Sequence, residues 1–235
     1  MLVLEDVGGA EQGDCLQLLD RAGALQMAEL LATYHAAWWD RAELHTADWL
    51  EPVHLRTSEW LVSRRARFLD RFESRVAPSV LGLLDRIEAV QARGDERLAG
   101  APHTVLHADL HLDNVLFEGE QRTPVLLDWA RASRGPSAID VAELVFAMTP
   151  ISELDPVLSA YLESLERRGV ANVSAQAFRR QLGGALLRMV VRSTCGMAPW
   201  QPVLEREERI IDSVFARVAA AVDYWRGQDE ELFRL

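Results

Sequence analysis

Apolar positions recur at helical intervals through most of the chain. Leu25, Ala28, Leu31, Ala32 and His35 fall on one face of residues 24–39, predicting a helix that closes at Trp38 and Trp39. Thr57 and Ser58 supply N-cap chemistry for a second helix, whose stripe of Trp60, Leu61, Phe68, Leu69 and Phe72 runs among arginines up to Pro78. A third is expected over residues 79–93, followed by a loop at Gly94, Gly100 and Pro102. Short apolar runs then replace the helical pattern. Residues 104–106, 115–117 and 125–127 have strand character, and the last two flank a turn-rich stretch, predicting a hairpin. Helical periodicity returns at Ser137 and continues through 140–148, 156–168, 174–192 and 205–225. At the amino end, residues 1–4 form a strand-like run that meets the turn-rich Glu5-Asp6-Val7-Gly8-Gly9, with no earlier segment to pair with it. No repeat, low-complexity tract or long linker divides the chain, so a mostly α protein with a small β-hairpin is expected.

Composition narrows this picture. With 235 residues, 49% hydrophobic and 26% charged, the chain is an ordinary folded protein, long enough for a sizeable core. Acidic residues number 36 against 25 basic ones, a net charge of −11, and the arginines form no phosphate-tracking face, which argues against nucleic acid. All 25 basic residues are arginine, so chemistry that requires an ammonium side chain is closed to this sequence. Cys15 and Cys195 stand far apart and in no metal-like spacing, which suits a reducing compartment. No apolar run approaches ~18 residues, and Glu5 and Asp6 interrupt the amino end, so a cytoplasmic protein without a membrane partner is expected.

The chemistry concentrates in residues 107–114, His-Ala-Asp-Leu-His-Leu-Asp-Asn, which place five metal- or proton-binding side chains in a loop before the hairpin. Asp109 and Asn114 lie within it, and Asp128 ends the hairpin that folds back beside it. Two carboxylates and an amide oxygen are the hard ligands Mg²⁺ prefers, with waters and phosphate oxygens completing its shell. Phosphoryl transfer asks for that arrangement: charge neutralisation plus a residue that orients the attacking hydroxyl.

The string HADLHLDN, followed by VLLDWARASRGPSAIDVAEL, resembles the catalytic core of the aminoglycoside phosphotransferase and choline kinase-like family, small-molecule kinases with a protein kinase-like fold. The resemblance implies an ATP- and Mg²⁺-dependent phosphotransferase acting on a small-molecule hydroxyl. It makes Asp109 the catalytic base, braced by His107, with Asn114 and Asp128 holding Mg²⁺ on the ATP phosphates and Asp140 supporting the loop from the next helix. The stretch LVLEDVGG resembles the strand and hinge between the two lobes of these kinases, which places Glu5 and Val7 at the nucleotide, and residues 30–36 resemble their first long helix. Two departures stand out: Asp113 replaces a common glycine, and Ala130-Arg131 follows the tryptophan where an acid is frequent, which weakens the case for a cationic aminoglycoside. Family kinases also carry a β-rich amino-terminal lobe with a phosphate-covering loop and a lysine. Gly8, Gly9 and Gly13 follow the hinge instead of joining two strands, and lysine is absent. The expectation is therefore a carboxyl-terminal lobe alone: residues 1–9 a remnant of strand and hinge, residues 10–235 a helical catalytic lobe, its partner lobe missing and its activity alone lost.

Two other classes compete. A kinase-derived lobe can persist as a non-catalytic binding module, and His107, Asp109 and His111 alternate as the zinc or manganese ligands of some metallohydrolases do. Trp38, Trp39 and Trp49 are read as core before a cation–π wall, and Arg64, Arg65, Arg67 and Arg71 as a solvated helix face. Arg131 and Arg134 fit either phosphate contact or pairing with a carboxylate. Among acceptors, aminoglycosides, choline-like alcohols, amino alcohols and sugars all stay open.

Overall fold

The computed structural model describes residues 7–53 and 56–235; the strand expected at residues 1–4 lies outside them. The first helix, α1 (Arg21–Trp38), starts where Asp20 caps it, its carboxylate accepting from the Gly23 N–H at 2.8 Å. Met27, Ala28, Leu31, Ala32 and His35 form its buried stripe. After the short α2 (Glu43–Thr46), α3 (Ser58–Phe72) is capped by Thr57, as its sequence suggests.

The helix expected over 79–93 is two helices, α4 (Pro78–Leu84) and α5 (Ile87–Leu98). The break is held from outside: Arg65 of α3 donates to the Leu84 carbonyl at 2.6 Å and pairs with Asp85, which satisfies the end of α4. Gly94 does not end α5 either. It lies where α5 crosses α8 (Ala175–Val191), and a methyl group there would stand 3.0 Å from the Gly184 carbonyl oxygen. Glycine is present for close approach, not for a turn.

Among the described residues, five short strands make two small antiparallel sheets. The expected hairpin is β3 (Val115–Glu118) with β4 (Thr123–Leu126). Two pairings were not legible in the sequence. The two-residue β1 (Glu11–Gln12) flanks β3, and β2 (His103–Leu106) pairs with β5 (Ser133–Pro136), joining Leu106 to Ser133. The second sheet thereby fixes both ends of the 107–132 segment.

Behind the sheets lie α6 (Ala138–Glu143), which continues as a π-helical turn (Leu144–Met148), then α7 (Leu154–Arg167), α8 and α9 (Glu205–Gln228). A second π-helical turn, Arg192–Gly196, ends α8. One large core joins α1 and α3–α9, with Tyr161, Phe178 and Trp225 among its largest buried side chains. Of the three tryptophans expected in the core, only Trp39 packs against it. Trp38 is partly exposed and Trp49 is 72% exposed.

A Cβ at Gly184 would sit 2.7 Å from the Arg97 Cβ and 2.8 Å from the Gly94 carbonyl. Gly184→Ala should therefore cost about 1–3 kcal/mol through overpacking at the α5–α8 crossing. Urea unfolding measures it; an unchanged midpoint would show that the helices do not cross this closely.

Candidate active site

The loop between β2 and β3 is organised by one buried carboxylate. Asp140, fully buried on α6, accepts from the His107 N–H at 2.7 Å, the Ala108 N–H at 3.0 Å and the Tyr34 hydroxyl at 2.6 Å, with the His35 ring at 3.4 Å. Burial alone would raise its pKa. Hydrogen bonding and attraction from His35, with the Tyr34 and His107 donors, overcome that and hold it below the usual carboxylate range. The same contact pushes the Tyr34 phenol well above its ordinary value, through burial first and the Asp140 charge second. Ala108 takes φ +61°, a left-handed conformation that side-chain-bearing residues adopt only when their surroundings impose it.

His107 is buried out of reach of any substrate. Its Nε2 donates to the Leu127 carbonyl at 2.7 Å and its ring packs against Trp129, which ties the loop to the turn carrying Asp128. A second tie runs through Asn114: its amide nitrogen donates to the Asp109 carbonyl at 3.0 Å, and its own carbonyl accepts from the Leu127 N–H at 2.9 Å. Asp109, Asn114 and the Asp128 turn thus form one bonded group. Among the described residues the Asn114 amide oxygen makes no hydrogen bond. Asp128, at φ +56°, receives the Ala130 N–H on one oxygen at 3.3 Å and is exposed. An amide oxygen and an exposed carboxylate are both donors of the kind Mg²⁺ takes.

Two residues that sequence reasoning missed complete the loop. Arg192, in the π-helical turn after α8, forms ion pairs with Asp109 and with Glu143 and donates to the Ala108 carbonyl at 3.3 Å. Glu143 in turn accepts from the Leu110 N–H at 2.7 Å. Arg192 lies 83 residues from Asp109, and no local pattern marks it. Asp113, the departure from the family glycine, anchors the loop's far end: it accepts from the Cys15 N–H at 2.7 Å and from Arg206 at 2.9 Å. Burial, with Asp113 next, pushes the Cys15 thiol up to about 11.

The alternating zinc or manganese site is not assembled. The His107 ring is buried with its Nε2 on the Leu127 carbonyl, and His107, Asp109 and His111 do not bring three donor atoms together. Among the described residues the grouped donors are Asp14, Cys15 and Asp113 instead, with Arg206 already between the two carboxylates. Of the hinge residues, Glu5 lies outside the described residues. Val7 opens a turn, its carbonyl accepting from the Ala10 N–H at 3.3 Å. Arg134 is structural, donating to the Leu44 and Leu50 carbonyls, whereas Arg131 is exposed.

A family model described as the phosphotransferase enzyme family matches residues 1–175. The chain belongs to this family. Solved structures of other phosphotransferases share its fold. The choline kinase LicA of Streptococcus pneumoniae superposes at TM-score 0.54 with 15% identity, over 92% of this chain and 69% of that one. An aminoglycoside phosphotransferase from Alicyclobacillus acidocaldarius gives 0.55 and 16%, over 94% and 70%. A microcompartment-associated aminopropanol kinase gives 0.58 and 20%, over 96% and 68%. No curated protein matches the sequence. The phosphotransferase fold is thus present as a mostly helical lobe of protein kinase-like architecture, and among the described residues no helix is long and apolar enough to cross a membrane.

Removing the carboxylate that organises the loop leaves several buried donors unpaired. Asp140→Ala should cost about 3–5 kcal/mol. Because the folded-state pKa lies below the unfolded value of about 3.9, the Asp140 contribution is present above about pH 4 and lost as pH falls through the folded value. Denaturant unfolding from pH 7 to 3 should show Asp140→Asn losing less stability on acidification than the parent, and parallel acid limbs would contradict the linkage.

Proposed function

We propose that this chain is the catalytic lobe of an ATP- and Mg²⁺-dependent phosphotransferase for a hydroxyl of a small molecule. The bonded group of Asp109, Asn114 and the Asp128 turn carries this reading. Asp109 has one oxygen paired with Arg192 and the other available, so it can receive the proton of an attacking hydroxyl while the hydroxyl oxygen bonds to the γ-phosphorus and the bridge to the β-phosphate breaks. Arg192 and the Asn114 amide keep that carboxylate at a fixed place on the loop. Asn114 and Asp128 would hold Mg²⁺, whose charge would neutralise the phosphates. His107 and Asp140 position the loop without touching substrate.

Lysine is absent from the sequence, so no ammonium side chain of this chain meets the nucleotide phosphates. The relatives that share the fold extend well beyond the matched region, since the chain spans 68–70% of three of them. A nucleotide-covering lobe is the partner this reading calls for.

Calorimetric titration of the 235-residue chain should give Mg-ATP affinity weaker than micromolar; micromolar affinity would contradict the need for a covering lobe. With Mg-ATP in excess, Asp109→Ala should lose phosphoryl transfer by at least about 10³-fold while keeping nucleotide affinity within a few fold, whereas Asp128→Ala should lose the metal-dependent part of that affinity. Where turnover of the parent chain is too slow to follow, the metal dependence of binding alone separates the variants. Near-parental behaviour of both would overturn the assignment.

A further inference from the structure

Arg192 is bonded to the carboxylate read above as the base, and that bond does not use up its donors. A guanidinium carries five N–H groups in a rigid fork. Among the described residues, Asp109, Glu143 and the Ala108 carbonyl, the last at 3.3 Å, account for three of them. Burial is the largest influence on the Arg192 pKa and lowers it, yet 39% of the side chain is open to solvent. A cation crowded by protein and still reached by water lines a recess. The Asp109 side chain bonded to it, 22% exposed, shares the wall of that recess.

The reaction itself sets what else must stand there. A hydroxyl that gives its proton to Asp109 lies ~2.7 Å from the carboxylate oxygen that Arg192 leaves available, with the γ-phosphorus ~3.3 Å from the hydroxyl oxygen. Arg192 bonds to the other oxygen of the same carboxylate, so a phosphoryl group in that position comes within reach of its remaining N–H groups. The fork is also fixed before any substrate arrives. Glu143, whose side chain is 7% exposed, pairs with Arg192 on one side and accepts from the Leu110 N–H at 2.7 Å on the other. A donor held in place by its surroundings loses little freedom when it meets developing charge. With no lysine in the sequence, a cationic side chain that contacts the phosphoryl group and stays charged must be arginine, and among the described residues Arg192 is the one paired with Asp109.

We propose that Arg192 is a catalytic residue, bracing Asp109 with one N–H and donating another to the phosphoryl group in transfer. The proposal rests on the phosphotransferase reading and adds a residue to that site. As the hydroxyl oxygen bonds to the γ-phosphorus and the bond to the β-phosphate bridge breaks, the proton passes to Asp109. Arg192 forms no covalent bond, and its charge meets the oxygens of the phosphoryl group. Glu143 is a positioning residue, which touches no substrate and aims the guanidinium.

Titration of Mg-ATP and Mg-ADP into the full chain, followed by NMR with ¹⁵N-labelled arginine side chains, separates phosphoryl contact from bracing alone. The Arg192 guanidinium signals, assigned by their loss in Arg192→Lys, should shift on addition of Mg-ATP and stay in place with Mg-ADP. Arg192→Gln should weaken Mg-ATP binding about tenfold, the size of one charge-assisted contact, and change Mg-ADP binding by less than about twofold. Arg192→Lys should recover part of that loss, since it keeps the charge without the fork. Arg192→Gln leaves the Glu143 charge buried and unpaired, so where it unfolds, the double variant Arg192→Gln/Glu143→Gln takes its place and should show the same selective loss. Equal losses for the two nucleotides, or Arg192 signals that respond alike to both, would make Arg192 a brace only and overturn the proposal. Absence of saturable Mg-ATP binding at millimolar nucleotide would overturn it as well. Failure of the phosphotransferase reading shows separately, as binding of both nucleotides that is indifferent to Mg²⁺ and to Asp128→Ala.

Discussion

The geometry of this lobe depends on a single carboxylate taken out of water. Asp140 draws the backbone of His107 and Ala108 from the loop and the side chains of Tyr34 and His35 from α1 onto one point. Withdrawing a charge from solvent is costly, and it is tolerated here because both carboxylate oxygens are hydrogen-bonded, Oδ1 to Ala108 and Oδ2 to Tyr34, His35 and His107. Tyr161 extends the group, its hydroxyl 2.9 Å from the second ring nitrogen of His35. A loop that would otherwise sample many conformations is thereby fixed to the helical platform, left-handed Ala108 included.

From that anchor the functional side chains follow in sequence. His107 reaches across to Leu127, Asn114 reaches back to Asp109, and Leu127, next to Asp128, is tied in turn to Asn114. Arg192 then closes the arrangement from α8, linking Asp109 to Glu143, and Glu143 to the backbone at Leu110. The Asp109 carboxylate is therefore positioned by charge from one side and by the loop from the other. Both π-helical turns lie at this junction, one leading on from Glu143 and the other starting at Arg192, in keeping with the tendency of such turns to occur where function displaces regular helix geometry.

The legible parts of the sequence were those with a local signature. Periodicity marked α1, α3 and the long carboxyl-terminal helices, and alternation with turn residues marked the β3–β4 hairpin. Density of polar groups marked residues 107–114, and Asp140 was assigned to loop support by resemblance. The misses share one physical cause, since each depends on contacts distant along the chain. Gly94 looks like a helix end unless the carbonyl of Gly184 across the crossing is known. The break between α4 and α5 is made by Arg65, 19 residues away. The pairing of β2 with β5 and the reach of Arg192 to Asp109 join segments with no shared pattern. Trp49 shows the converse, a large apolar residue at a plausible core position that the fold leaves in solvent.

A phosphotransferase of this kind requires one divalent ion held by Asn114 and Asp128. Paramagnetic broadening tests it directly: Mn²⁺ titrated into the isotope-labelled chain with ADP present should first extinguish the amide signals around Asn114, Asp128 and Asp109. Broadening that begins instead at Asp14, Cys15 and Asp113, or spreads evenly over the acidic surface, would contradict it.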